Sequence, residues 1–219
     1  MPFYLDCSDL GTLTPLWRTG LFAGVTCNPT ILARAGLAQE DLPELCRGLA
    51  ELGVTEVFAQ VLGTDLAAMS RSAEWLRSLG DLVVKVPANA PGLRLATDLV
   101  ADGVPTLVTA VYHPTQALLA RDVGADWVAP YVGRMGEAGR PAVVAVAQMV
   151  AALAGSRTQV LAASLRSPDQ VAELAAVGVR HQTIGADLAG RLLDDELTAA
   201  AVAEFEAQAA AARAVRTGS

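Results

Sequence analysis

Lys85 is the residue of this sequence whose type and setting best suit covalent chemistry. It stands in Leu82-Val83-Val84-Lys85-Val86-Pro87, an otherwise apolar run with strand character. A lysine inside such a strand is seldom tolerated without a partner or a task. Burial disfavours an ammonium, and a neutral amine is a nucleophile toward carbonyl carbon. The other reading is a lysine that reaches past the strand end or pairs with a carboxylate. The strand by itself does not choose between them.

Further polar residues fall at or just beyond the ends of other apolar runs: Asp6, Thr26, Asn28, Gln60, Thr109, Tyr131, Arg134, Ser164 and Arg166. Several have ordinary explanations. Asp6 can cap the following turn, and Asn28-Pro29 is a turn signal in any protein. Arg134 can be a surface-loop arginine; with Ser164 and Arg166 it can instead bind an anion, since guanidinium matches phosphate geometry. The two histidines, His113 and His181, read as loop polarity and strand packing, which disfavours a mechanism built on a histidine base. Cys27 lies near the polar group but has no histidine companion, so it reads as a small buried residue. Cys7, Cys27 and Cys46 lack metal-ligand spacing and are expected as free thiols in a reducing compartment. No metal and no other cofactor is expected.

The elements that must position these residues alternate along the chain. Short β-like runs occupy 3–6, 21–25, 56–61, 82–86, 105–109, 127–130, 159–163 and 181–184. Most are continuously apolar, as in strands of a parallel sheet buried on both faces. Helix-compatible segments occupy 65–79, 91–101, 115–121, 141–154 and 168–177. Gly80, Gly103, Gly124, Gly155 and Gly178 each sit just past such a segment, where a left-handed C-cap is expected. Eight βα units of about 25 residues predict an α/β fold, a (β/α)8 TIM barrel, with its site at the C-terminal ends of the strands. The rival is an open doubly wound sheet, but no G-x-G-x-x-G follows the first strand. No linker divides the sequence, so 1–219 is expected as one domain. Its tail, 195–213, predicts an extra helix with Leu197, Ala201, Phe205 and Ala209 in one stripe. That stripe can cover the end of its own barrel or pack on a neighbouring subunit.

Composition limits the classes of partner. The 219 residues are 53% hydrophobic but only 5% aromatic, so the core must be built from Ala, Leu and Val. A net charge of −7 with scattered basic residues leaves no run to follow a nucleic-acid backbone. Mean hydropathy of +0.38 raises the membrane question. The uncharged stretches 103–120 and 141–156 are broken by proline and polar residues, and neither reads as a span. No basic region precedes an apolar N-terminal segment, so no signal peptide is expected and a cytoplasmic location is the default.

The chain resembles the small transaldolase family, and within it the fructose-6-phosphate aldolase branch. The resemblance rests on Tyr4-Leu5-Asp6 with Ser8-Asp9, Ala23-Gly24-Val25-Thr26-Cys27-Asn28-Pro29-Thr30 and Phe58-Ala59-Gln60-Val61. It continues through Val83-Val84-Lys85-Val86-Pro87, the segment from Pro105 to Tyr112, Ala129-Pro130-Tyr131-Val132-Gly133-Arg134 and Val160-Leu161-Ala162-Ala163-Ser164. Order and spacing agree from residue 3 to about residue 190. The resemblance implies a (β/α)8 barrel with Lys85 as the Schiff-base lysine of the fourth strand. It implies that Asp6 and Asn28, beside Thr26, contact substrate hydroxyls, with Asp6 also moving a proton. Thr109 and Gln60 would hold a catalytic water. Arg134 and Ser164, assisted by Arg166, would hold a phosphate. Homo-oligomeric rings, pentamers or decamers with C-terminal helices crossing to a neighbour, are implied as well.

Gln60 and Tyr131 are the aldolase-like pair; transaldolases proper usually carry glutamate and phenylalanine there. Cys7 and Cys27 depart from threonines often found in the family, and Thr183-Ile184-Gly185-Ala186-Asp187 matches less closely. The expected activity is reversible cleavage of fructose 6-phosphate to dihydroxyacetone and glyceraldehyde 3-phosphate. The alternatives are a transaldolase moving a dihydroxyacetone unit between sugar phosphates, and a non-catalytic sugar-phosphate-binding barrel.

Overall fold

The computed structural model describes residues 2–217. The first half runs β1 (Phe3–Asp6), α1 (Leu10–Trp17), β2 (Phe22–Thr26), α2 (Pro29–Arg34), α3 (Leu42–Glu51), β3 (Val57–Gln60), α4 (Leu66–Arg77), β4 (Val83–Pro87) and α5 (Ala90–Ala101). The second half runs β5 (Thr106–Val111), α6 (Pro114–Asp122), β6 (Trp127–Pro130), α7 (Val132–Glu137), α8 (Ala142–Ala152), β7 (Gln159–Ala162), α9 (Pro168–Ala176), β8 (His181–Ile184), α10 (Ala186–Leu193) and α11 (Glu196–Thr217). All eight strands are parallel and pair in sequence order, and β1 closes on β8 through Phe3–Gln182, Tyr4–Thr183 and Leu5–Ile184. The closure makes this a (β/α)8 barrel and excludes the open sheet.

Two apolar layers follow from the strand period of two. Leu5, Val25, Ala59, Val84, Val108, Val128 and Ala162 face outward onto the helices. Tyr4, Phe58, Val83, Leu107 and Leu161 fill the barrel interior. Three of the ten aromatic residues meet there: Tyr4 meets Phe58 edge-on at 5.5 Å, Phe58 meets Trp127 at 5.9 Å, and Trp127 meets His181 at 4.8 Å. They form a floor below the strand ends. Gly24 makes room for it, since a Cβ there would lie 2.4 Å from the Glu56 carbonyl and 3.1 Å from the Tyr4 ring. His181 therefore packs within the floor, as the sequence suggested. His113 caps α6 by accepting from the Thr115 N–H.

The five glycines expected as left-handed C-caps all have positive φ. Asp65, Asn89 and Ser167 accept backbone N–H bonds at the starts of α4, α5 and α9. Five helices, α1, α2, α3, α7 and α10, lie outside the segments that periodicity picked out. Four of them have six to eight residues, too few for a 3.6-residue period to register. In α3 the spacing of Leu42, Leu45 and Leu49 is the usable signal.

The tail helix α11 does not cover its own barrel: Leu197 is 82% exposed and Phe205 is 64% exposed. Among the described residues no helix is long and apolar enough to cross a membrane.

Candidate active site

Lys85 is in register with Gln60 of β3 and Leu107 of β5, and is 5% exposed. Its Nζ donates to the backbone carbonyl of Cys27, 2.9 Å away, at the end of β2. The amine is held inside the barrel mouth by a neutral acceptor. Around it lies a cavity of about 50 Å³, whose lining includes Asp6, Thr26, Thr109, Tyr131, Arg134 and Thr183. Asn28, Ser164 and Arg166 also border it. An outer cavity of about 570 Å³ shares Asp6, Arg34, Ser164, Arg166 and Thr183 with the inner one.

Two hydroxyl pairs flank the amine. On the β1–β2 side, Thr26 Oγ1 donates to Asp6 Oδ1 at 2.7 Å and lies 2.7 Å from Thr183 Oγ1. On the β5–β6 side, Thr109 Oγ1 donates to the Tyr131 hydroxyl at 3.0 Å. Backbone strain sits next to this second pair. Ala110 has φ +56°, and the β5–β6 register is broken between Val108 and Val111. A left-handed non-glycine residue costs about 1–3 kcal/mol and persists only where its surroundings enforce it.

The mouth is built from three loops. Asn28 is the N-cap of α2, its Oδ1 accepting from the Thr30 and Ile31 N–H groups. Ser164 has φ +63°, and its carbonyl accepts from the Gly133 N–H at 2.8 Å. A Cβ on Gly133 would lie 2.2 Å from that carbonyl, so the approach of α7 to the β7 loop requires glycine. Ser164 Oγ is buried without a hydrogen-bond partner. Arg134 is exposed, with its guanidinium 5.1 Å from the Tyr131 ring centroid. Arg166 donates through Nε to Glu137 at 3.0 Å.

Nine of the ten residues singled out in the sequence border the Lys85 cavity. Gln60 does not. It lines a separate space behind α2 with Cys27, Leu32, Leu42 and Leu62. Thr30, Arg34 and Thr183 are polar residues outside the sequence-based set that also border the site. Thr183 is a polar residue at an inward position near a strand end, so the criterion applied to the other strands would have selected it. Arg34 ends α2, and nothing in its local sequence marks it.

Burial pushes the Asp6 carboxyl above its usual range, against the opposing pull of Lys85, the Thr26 hydrogen bond, Arg34 and Arg166. Burial pushes the Cys27 thiol up to about 12, so it stays protonated and is no nucleophile.

The raised Asp6 carboxyl carries a stability consequence. Between the ordinary carboxylate range and its raised folded value, the native state holds a proton that the unfolded chain releases. Stability therefore falls as pH rises through that window, and the cost persists above it. Asp6→Asn, which can still accept from Thr26, is expected to raise Tm near neutral pH, with no gain below about pH 4. Thermal melts across pH check this; an equal or lower Tm for the variant at neutral pH refutes it.

The family model described as transaldolase/fructose-6-phosphate aldolase matches residues 3–218. The chain belongs to this family. Among its relatives, a probable transaldolase of Anaeromyxobacter sp. strain K is 34% identical over 94% of each chain. A probable transaldolase of Desulfitobacterium hafniense is 32% identical over 94% of this chain and 96% of its own length. At the level of fold alone, thiamine phosphate pyrophosphorylase from Pyrococcus furiosus superimposes with a TM-score of 0.61. It shares 14% identity, with 86% of this chain and 87% of that one covered. Membership in the transaldolase/fructose-6-phosphate aldolase family makes this an enzyme of sugar-phosphate chemistry.

Proposed function

We propose that the chain is a class I aldolase that cleaves fructose 6-phosphate through an imine on Lys85. The supporting observation is a buried amine flanked on one side by a carboxylate and on the other by a phenol. In the proposed reaction Nζ adds to the C2 ketone, and the carbinolamine loses water to give an iminium ion. Asp6 takes the C4 hydroxyl proton as the C3–C4 bond breaks, and glyceraldehyde 3-phosphate leaves. The electron pair passes to the iminium, forming an enamine. Tyr131 protonates C3, water releases dihydroxyacetone and the free amine, and the proton held by Asp6 returns through solvent to the Tyr131 phenolate. The iminium is the electron sink, so the sequence of steps calls for no metal. Thr109 donates to the Tyr131 oxygen, which leaves the phenol's own proton free to point at the substrate. Asn28 suits a substrate hydroxyl.

A ketose phosphate does not fit wholly in the inner cavity, so its phosphate end belongs near Arg134, Ser164 and Arg166. Charge-assisted contacts of this kind contribute about 1.5–3 kcal/mol. Arg134→Ala is therefore expected to raise KM for phosphorylated acceptors by roughly 10- to 150-fold. Unphosphorylated glyceraldehyde should be affected far less. Equal losses with both acceptors would assign Arg134 to structure.

The transaldolase reading has its own support in the names of the relatives. Incubation with fructose 6-phosphate alone separates the two. Free dihydroxyacetone accumulating without an acceptor is the aldolase outcome; transfer to erythrose 4-phosphate with no such release is the transaldolase outcome. The exposed stripe of α11 is assigned to contact between subunits of a homo-oligomer. Sedimentation should show a multimer that Leu197→Asp with Phe205→Asp dissociates, and a monomeric parent would refute the assignment.

A further inference from the structure

The contacts of Thr26 carry information about a third residue. A hydroxyl has one proton to give. Ionised Asp6 can only accept, so Thr26 must spend its proton on Oδ1, 2.7 Å away. The equally short contact between Thr26 Oγ1 and Thr183 Oγ1 must then be donated by Thr183. The three groups form a chain with one direction, Thr183 to Thr26 to Asp6. When Asp6 gains a proton it can donate to Thr26, which can donate in turn to Thr183, and the direction reverses. Thr26 and Thr183 are both buried. The contact exists because barrel closure sets β8 beside β1, with Tyr4 and Thr183 in register, and β2 on the other side of β1, with Thr26 beside Asp6.

We propose that Thr183 is a positioning residue of this site: it fixes the Thr26 proton on Asp6 and so sets the pH at which Asp6 becomes competent to accept the substrate's proton. The proposal rests on the reading of Asp6 as the proton acceptor in cleavage. A donor behind Thr26 polarises its O–H and strengthens the bond to the carboxylate. The charged and titratable groups that also act on Asp6 are Lys85 from β4, Arg34 from α2 and Arg166 beyond β7, with the thiols of Cys7 and Cys27 nearby. Burial raises the carboxyl, and the Thr26 hydrogen bond works against that rise.

The test is the pH profile of kcat/KM for ketose cleavage in Thr183→Val, which keeps the volume and removes the hydroxyl. Losing one hydrogen-bond donor's support should move the acid limb upward by roughly 0.5–1 pH unit. kcat near neutral pH should fall about 3- to 10-fold, with KM within about 2-fold of the parent. Thr183→Ser should restore both limb and rate. Thr183→Cys, a weak donor, should give a smaller shift in the same direction and serves if the valine variant does not fold. An unmoved limb in both the valine and cysteine variants overturns the proposal, as does a serine variant no better than valine. Asp6→Asn run alongside separates the two levels. If it retains full cleavage, the reading of Asp6 fails. If it loses cleavage while Thr183→Val leaves the limb in place, only the role of Thr183 fails.

Discussion

Lys85→Met should lower cleavage of fructose 6-phosphate by about 1,000-fold or more and abolish covalent trapping of the substrate. Methionine matches the apolar length of lysine and suits the walls formed by Leu107, Ala129 and Leu161. The variant gives up the 2.9 Å bond to the Cys27 carbonyl, which the cavity can hydrate, so the barrel should still fold. What disappears is the nucleophile. In the parent protein, borohydride added with fructose 6-phosphate should place a reduced three-carbon adduct on the peptide containing Lys85, and the methionine variant should carry none. Lys85 is the only lysine of the sequence, so an adduct that persists in the methionine variant, or a methionine variant with substantial activity, would remove Lys85 from the mechanism. A barrel that binds sugar phosphates without catalysis would give no adduct even in the parent.

Tyr131→Phe should have the second-largest effect, and it should be selective. Tyr131 is 9% exposed, and its hydroxyl receives a bond from Thr109 at 3.0 Å. Its ring meets Tyr112 edge-on at 5.9 Å and carries the Arg134 guanidinium over it. Phenylalanine keeps those ring contacts and removes one oxygen. General acid–base contributions are typically about 100- to 10,000-fold. A loss toward that range is expected in acceptor-free cleavage, where the enamine must be protonated before dihydroxyacetone can leave. Transfer to erythrose 4-phosphate should suffer less, because carbon–carbon bond formation consumes the enamine without that proton. Equal losses in cleavage and transfer would place the hydroxyl in a step common to both and undo the aldolase assignment.

The sequence by itself determined whatever depends on neighbours along the chain. Apolar runs of four to six residues between segments of helical period placed the strands to within about two residues. Glycines marked the helix ends because the left-handed C-cap excludes most other residues. A lone lysine in an apolar strand identified Lys85, since burying an amine demands a reason. The motif order carried the family. Only the tertiary structure decided what barrel closure brings together. Thr26 and Thr183 are 157 positions apart and share a hydrogen bond because β8 closes onto β1. Gln60 is in register with Lys85, yet it borders a different cavity, one that lies against α2 and α3, and neither residue type nor strand pattern encodes where those helices pack. The α11 stripe could cover its own barrel or a neighbour by periodicity alone, and the exposure of Leu197 and Phe205 ruled out the first. Local patterns fix backbone conformation because their forces act over one turn or one pleat; which side chains meet across the mouth of a barrel is set by strand register and closure, which no single segment contains.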